Sequence, residues 1–312
     1  FFSMKNRVII GTRTSKLALY QAFKVEKELK KNFPDLEIEI KKVKTKGDIL
    51  LDKPLDRSLD KGYFVKEIQE LLIQNKIDIA VHSLKDLPVE KIDELEINAV
   101  LERANPQDVF LSRKNKKLSD FSDNELIGTT SLRRKAQLLK INPKLQIKDI
   151  RGNVDTRIKK MVEGKYDGLV MAAAGIERLK LDKHITEYLN FDLFLNAPGQ
   201  GAIAIETNSK NDDVNKLVSK INHERTMICT RYERDFMKRM GGGCNYPIGA
   251  YSYFEGSKIF LEGIILSLNG KKSIKHKVKS TENGSDLAYE LSLRFDEDNV
   301  KDLINEIDNE IR

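Results

Sequence analysis

Cysteine is scarce in this chain, with two in 312 positions, Cys229 and Cys244. That count argues against a disulfide scaffold and fits a reducing compartment. Neither cysteine has a Cys-x-x-Cys partner or a nearby histidine, so the ligand spacing of a structural zinc site is missing and no metal is expected. No apolar run is long enough to cross a membrane. Internal repeats at solenoid periods and low-complexity tracts are absent as well. Phe1-Phe2-Ser3, ahead of Met4, is too short for a signal peptide and reads as a cloning scar or the remnant of a removed leader.

What is present is the composition of a soluble globular protein: 33% charged and 40% hydrophobic residues, in a chain long enough for two or three domains. The formal charge is +7, with a pI near 9.1. Such a balance suits nucleic acid, an acidic membrane surface or a polyanionic small molecule. The lysines are scattered along helical patterns with no stacking aromatics between them, so a nucleic-acid partner would rest on net charge alone.

Short β-branched runs alternate with helical periodicity through the first two-thirds of the chain. Strands are expected at Val8–Ile10, Leu36–Val43, Ile77–Val81, Val109–Leu111, Leu145–Ile150 and Gly168–Ala172. Helices are expected at about Ser15–Lys31, Phe64–Gln74, Leu132–Lys140 and Val154–Val162. This pattern predicts α/β domains with largely parallel sheets, whose ligands bind beyond the carboxyl ends of the strands. A strand at Ala202–Ile205 and a long helix, Glu224–Met240, follow. The remainder reads as a small α+β domain, a meander packed on helices near Asp286–Arg294 and Val300–Ile311.

The polar clusters fall at those strand ends. Gly11-Thr12-Arg13-Thr14-Ser15 joins strand to helix, where free N–H groups and Arg13 can take an anion; an ordinary capped turn is the alternative. Gly128-Thr129-Thr130-Ser131-Leu132-Arg133-Arg134 puts two arginines in a first helical turn, against the macrodipole, which makes sense if an anion lies between them. The alternative there is a solvated basic turn. Arg151-Gly152-Asn153-Val154-Asp155-Thr156-Arg157 repeats the design with Asn153 as the expected cap. Three such loops suggest a ligand with several carboxylates or phosphates. In Val81-His82-Ser83-Leu84-Lys85-Asp86, an aspartate beside a lysine just past a buried strand is a candidate catalytic carboxylate or a surface ion pair. His82 reads as a buried, hydrogen-bonded histidine and Cys229 as core. Cys244 sits in Gly241-Gly242-Gly243-Cys244-Asn245-Tyr246-Pro247. Glycines let a bulky group approach closely, and an accessible thiol there is a nucleophile or attachment point; the alternative is a tight turn with an incidental cysteine.

Taken together these segments resemble the porphobilinogen deaminase (hydroxymethylbilane synthase) family. The likeness runs through Gly11–Ala22, Thr45–Asp48, Lys61–Glu67, Ile79–Pro88, Gly128–Gln137, Arg151–Arg157, Ala172–Leu179, Pro198–Glu206 and Gly242–Tyr251, in order. Departures are Tyr20 where tryptophan is frequent, Lys46 where arginine is usual, and Asn245-Tyr246 after the cysteine. The resemblance implies two domains like type II periplasmic binding proteins, with the active cleft between them, and a third domain bearing the cysteine loop. The implied boundaries are 1–101 with 201–220, 102–200, and 221–312. It implies a transferase that joins four porphobilinogen molecules head to tail, releasing ammonia and hydroxymethylbilane for tetrapyrrole synthesis. The cofactor implied is a dipyrromethane primer in thioether linkage to Cys244. Because each pyrrole bears acetate and propionate, the growing chain reaches roughly a dozen carboxylates, which a basic site neutralises.

Carried onto this sequence, the resemblance makes Asp86 the catalytic carboxylate, stabilising the cationic azafulvene as ammonia leaves and relaying a proton. It assigns the cofactor to Lys85, Asp86, Thr129, Ser131, Arg133, Arg134, Arg151 and Gly152. Substrate falls to Arg13, Ser15, Phe64, Arg157, Arg178 and Gln200, and 46–60, with Asp48, becomes a lid. A monomer acting on a small molecule, without nucleic acid or membrane, is expected in the cytoplasm, or in a plastid or other organelle after leader removal. The rival is a non-enzymatic periplasmic-type anion-binding protein, disfavoured by the absent export signal and the Cys244 loop.

Overall fold

The computed structural model describes residues 6–49, 64–243, 246–281 and 286–311. In chain order the strands begin with β1 (Arg7–Arg13), β2 (Glu37–Val43), β3 (Ile79–Ser83), β4 (Leu95–Val100), β5 (Asp108–Ser112), β6 (Leu126–Gly128) and β7 (Gln146–Lys148). They continue with β8 (Gly168–Ala172), β9 (Glu187–Tyr188), β10 (Ile203–Asn208), β11 (Ile248–Glu255), β12 (Lys258–Leu266) and β13 (Ser273–Ser280). The helices are α1 (Lys16–Asn32), α2 (Lys46–Ile49), α3 (Lys66–Ile73), α4 (Leu132–Ile141) and α5 (Val154–Val162). After them come α6 (Ala173–Arg178), α7 (Asp212–Ser219), α8 (Glu224–Arg239), α9 (Leu287–Glu297) and α10 (Val300–Ile311).

The chain divides into two compact units, Phe1–Ala104 with Gly201–Met227, and Asn105–Gln200 with Ile228–Arg312. In the first, five strands lie in the order β2-β1-β3-β10-β4. β1 runs parallel to β2 and β3, and β10 runs antiparallel to β3 and β4. Parallel neighbours need a crossover, which α1 supplies between β1 and β2. α1 begins where the Ser15 hydroxyl accepts from the Ala18 N–H at 3.2 Å, and its buried residues Ala18, Ala22, Val25 and Leu29 form one stripe. Ala22, Val25 and Leu29 of that stripe join Val8, Ile10, Val81 and Leu217 in one core layer, while Ile68, Leu72, Ile77 and Ala80 form another. Each fully buried aliphatic contributes about 1.5–3 kcal/mol.

The second unit repeats the arrangement in its first sheet, ordered β7-β6-β8-β5-β9. β6 is parallel to β7 and β8, and β5 is antiparallel to β8 and β9. Val109 and Leu111 face one core layer and Phe110 the other, the period of a strand buried on both sides. In each sheet the antiparallel fourth strand is the first one formed after the chain crosses between units. A largely parallel sheet was the expectation; β5 and β10 correct it, because apolar runs look alike in either direction. The two sheets thus share one strand order in a mixed α/β pattern. The unit also contains the antiparallel meander β11-β12-β13, with α9 packed on it.

Candidate functional site

In the second unit, α4 carries the two adjacent arginines inward. Its cap is Ser131, whose hydroxyl accepts from the Arg134 N–H at 3.3 Å. Arg133 and Arg134 are only 4% and 7% exposed, and between them lies Asp108, fully buried at the start of β5. Arg133 Nη1 donates to Asp108 Oδ2 at 2.6 Å and to the Leu195 carbonyl at 2.5 Å. Arg134 donates from Nε and Nη2 to Asp108 Oδ1 at 3.0 and 2.7 Å, and from Nη1 to the Val170 carbonyl. Burial alone would raise the Asp108 pKa; the two guanidiniums overcome it and hold the carboxyl far below the usual range. Burial depresses the Arg133 pKa, against the pull of Asp108.

This arrangement corrects the solvated-turn alternative: both arginines are buried and structural. It does not exhaust them. Two guanidiniums face one carboxylate, and Nε and Nη2 of Arg133 have no protein acceptor among the described residues. The centre therefore retains a positive charge and spare N–H donors, which suits a ligand carboxylate.

Gln200, expected among the substrate donors, is fully buried beneath this centre, its amide donating to the Pro106 carbonyl at 2.7 Å and Asp108 at 3.1 Å. Thr129 is buried, and its hydroxyl accepts from the Ser131 N–H at 3.2 Å. Arg151, Gly152 and Arg157 flank the start of α5, where Arg157 Nε donates to the Gly152 carbonyl at 2.7 Å. Gly152 has φ +119°, and a Cβ there would sit 2.7 Å from Thr156 Cγ2, so glycine is required. Asn153 holds the N-cap position without a side-chain bond, which corrects its expected capping role and leaves the first-turn N–H groups uncapped by it. Arg178 lies half-buried at the end of α6.

In the first unit, β3 ends at Ser83 and a single 3₁₀ turn, Leu84–Asp86, follows. Leu84 and Leu87 are buried in one apolar cluster, and the Leu84 N–H donates to the Ala202 carbonyl at 3.0 Å. Anchored on both sides, Asp86 is half-buried and has no ion-pair or hydrogen-bond partner among the described residues. The surface ion pair weighed against catalysis is thus not formed by Asp86, and Lys85 lies beside it in the same turn. His82 is buried as expected, its Nε2 3.1 Å from Glu206 Oε2, with Gln69 also donating to Glu206.

At the end of β1, Arg13 donates from Nη2 and Nε to Asp48 at 2.5 and 3.2 Å, and its guanidinium lies 4.3 Å from the centre of the Phe64 ring. Burial raises the Asp48 pKa, but its bonds to Arg13 and Thr45 win and the net direction is down. Ser15, spent as acceptor on the α1 cap, keeps its hydroxyl proton to donate. Of the expected lid, residues 46–49 form α2; 50–60 lie outside the described residues.

Cys229 is buried in α8, as read from the sequence. Cys244 and Asn245 lie outside the described residues, but the flanks of their loop are defined. α8 ends where Gly241, at φ +67°, donates to the Lys238 carbonyl at 3.0 Å and Gly242 to the Met237 carbonyl at 3.2 Å. That pair of bonds is a Schellman stop, which needs the left-handed glycine. Glu233, fully buried within α8, accepts from the Gly199 N–H at 2.7 Å and the Ser252 N–H at 2.8 Å. It joins the helix entering the loop, the strand leaving it and the segment bearing Gln200.

Sequence reasoning missed Asp108, Glu233 and the Arg13–Asp48 pair. Asp108 left one signal, a carboxylate opening the apolar run Val109-Phe110-Leu111, where a buried charge demands a buried countercharge.

Each unit thus carries its own polar cluster on an α/β scaffold: in the first a carboxylate, Asp86, just past β3, and in the second a buried centre of two arginines on one aspartate. Comparison with known proteins identifies the family. The family profile "Porphobilinogen deaminase, dipyromethane cofactor binding domain" matches residues 8–216, and "Porphobilinogen deaminase, C-terminal domain" matches 227–297. The chain is 49% identical over 263 residues to a Syntrophomonas wolfei protein named porphobilinogen deaminase, covering 84% of this chain and 86% of that one. It is 42% identical over 311 residues to the Chlorobium phaeobacteroides protein of the same name, covering 99% of both. Among solved structures, a Desulfovibrio salexigens TRAP periplasmic solute-binding protein aligns at 12% identity and TM-score 0.43, covering 75% of this chain and 78% of that one. The chain belongs to the porphobilinogen deaminase family.

Proposed function

We propose that this chain works as a porphobilinogen deaminase: a transferase that condenses four porphobilinogen molecules stepwise on a covalent dipyrromethane primer and releases ammonia and hydroxymethylbilane. The observation that carries the reading is the match of both family profiles in order along one chain, with relatives of that name aligned over nearly its full length. A non-enzymatic anion-binding protein would have no use for the glycine-flanked cysteine.

The residues present fit the primer. A dipyrromethane with acetate and propionate groups is a polycarboxylate, and the Arg133 donors left over from Asp108 are what such a group requires. When bound, the dipyrromethane supplies the nucleophilic pyrrole carbon to which each new unit is joined. In our reading Arg133 and Arg134 hold its carboxylates, aided by Thr129, Ser131, Arg151, Gly152 and Lys85. Arg13, Ser15, Phe64, Arg157, Arg178 and Gln200 serve the substrate, Gln200 through its hold on Asp108. Asp86 supplies an unneutralised carboxylate to the positive charge that develops on the substrate as its amine departs, and it can pass a proton to that amine. That Asp86 has no partner among the described residues supports this role, since a carboxylate already paired would be a weaker stabiliser. Attachment is assigned to Cys244 rather than Cys229, because the latter is buried in a helix.

The test is peptide mapping of protein purified from cells, with Ehrlich's aldehyde to reveal pyrroles, alongside product formation from porphobilinogen. We expect a dipyrromethane adduct on Cys244. Active protein with Cys244 unmodified, or with the adduct on Cys229, would overturn the assignment.

A further inference from the structure

The helix that carries the arginine centre is met at close range by two glycines of the C-terminal meander. Arg133, Ala136, Gln137 and Lys140 stand at i, i+3, i+4 and i+7, one stripe of α4. Ala136 and Leu195 pack there with Ile264 and Leu266 of β12. Gly270, buried in the turn from β12 to β13 at φ +72°, abuts the backbone of that stripe. A Cβ on it would collide with the Ala136 carbonyl oxygen and lie 2.6 Å from the Lys140 nitrogen, backbone atoms that cannot swing aside. Beside the turn, Lys140 Nζ donates to Ser273 Oγ at 2.7 Å. Gly249 of β11 makes the second approach: a Cβ there would lie 2.9 Å from Leu195 Cβ and 3.1 Å from the Leu195 carbonyl oxygen. That carbonyl accepts from Arg133 Nη1 at 2.5 Å and from Gln137 Nε2 at 3.0 Å. The meander thus reaches Arg133 twice, through its helix and through its carbonyl acceptor.

We propose that Gly249 and Gly270 are positioning residues for carboxylate binding: by letting the meander bear on α4 and on the Leu195 carbonyl, they set where Arg133 presents its remaining donors. The inference deepens the reading of Arg133 as a holder of the primer's carboxylates and rests on it. Hydrogen bonds weaken steeply away from their preferred distance and angle. A helix displaced by a Cβ clash therefore loses ligand contacts even where the chain still folds.

The test measures dipyrromethane per folded molecule with Ehrlich's aldehyde, alongside urea unfolding, on protein purified from cells. Gly256→Ala, in the turn from β11 to β12, is the control. Its φ of +61° brings the same left-handed strain, but its Cβ would meet nothing within 4 Å. We expect Gly270→Ala and Gly249→Ala to carry about three- to tenfold less dipyrromethane than Gly256→Ala, the loss of part of one charge-assisted hydrogen bond. On an Arg133→Leu background neither should lower the content further, although the urea midpoint still falls. A contact that served folding alone would act equally in both backgrounds. Content equal to that of Gly256→Ala in either folded variant, or an equal further loss without Arg133, would overturn the inference. Should Gly270→Ala fail to fold, Gly249→Ala decides alone, since its backbone is not left-handed. Dipyrromethane missing from the wild type would sink the underlying reading instead.

Discussion

Replacing Asp108 by asparagine tests the arginine centre most directly. The carboxylate is fully buried and receives three guanidinium bonds, of 2.6, 2.7 and 3.0 Å, and one amide bond of 3.1 Å from Gln200. Asparagine keeps the shape but leaves two buried guanidiniums without a countercharge and points an amide N–H₂ at one of them. Breaking a buried pair by removing one partner costs about 3–5 kcal/mol, a large share of ordinary domain stability. The exposed Arg7–Glu39 pair, with side chains 63% and 46% accessible, is the internal control: Glu39→Gln should cost less than about 1 kcal/mol. The assay is urea unfolding followed by circular dichroism, comparing midpoints at constant slope. A pH series adds a second reading. The folded-state pKa of Asp108 lies below its unfolded value of about 3.9, so its stabilisation is complete above that value and lost as pH falls through the folded one. The variant should therefore show a flatter decline in stability below about pH 4. A loss under about 1 kcal/mol for Asp108→Asn at pH 7 would mean that the guanidiniums are neutralised or solvated elsewhere, and the centre as described would be wrong.

The two arginines should separate. Arg134 holds Asp108 with two nitrogens and Arg133 with one, so Arg134→Leu should destabilise the fold more in urea, while Arg133→Leu should lose more dipyrromethane in the Ehrlich assay. Equal effects of the two on both readouts would argue against a division of labour. Asp86→Asn, at a site without partners among the described residues, should leave stability within about 0.5 kcal/mol yet lower steady-state turnover of the cofactor-loaded enzyme at least roughly a hundredfold. Near wild-type turnover there would place the stabilising charge elsewhere.

The α/β alternation was legible because its strands are apolar and β-branched. Elements that escaped notice lack that signature. β13, Ser-Ile-Lys-His-Lys-Val-Lys-Ser, carries lysine or histidine at four of its positions, and α7 is short and opens on two aspartates. The antiparallel sense of β5 and β10 was hidden because direction depends on which unit the chain has just left. At the site, the loops and their arginines were readable from residue type and position. Their burial was not, since it depends on Asp108, 25 residues from Arg133 and meaningful only once β5 lies beside β8.

The arginine centre is structural, and in the proposed reading the same residues also serve the ligand. With no carboxylate between them, two buried guanidiniums would be too costly to keep; with two carboxylates, none of their charge would be left for a ligand. One carboxylate for two guanidiniums is the ratio that satisfies both demands. Asp86 presents the mirror image in the other unit, a carboxylate fixed by buried leucines on either side and given no cation of its own among the described residues. Its position comes from packing, so its charge stays uncommitted. In the proposed reading, each kind of incompleteness has a use: spare guanidinium donors for carboxylates, and an uncommitted carboxylate for a developing positive charge.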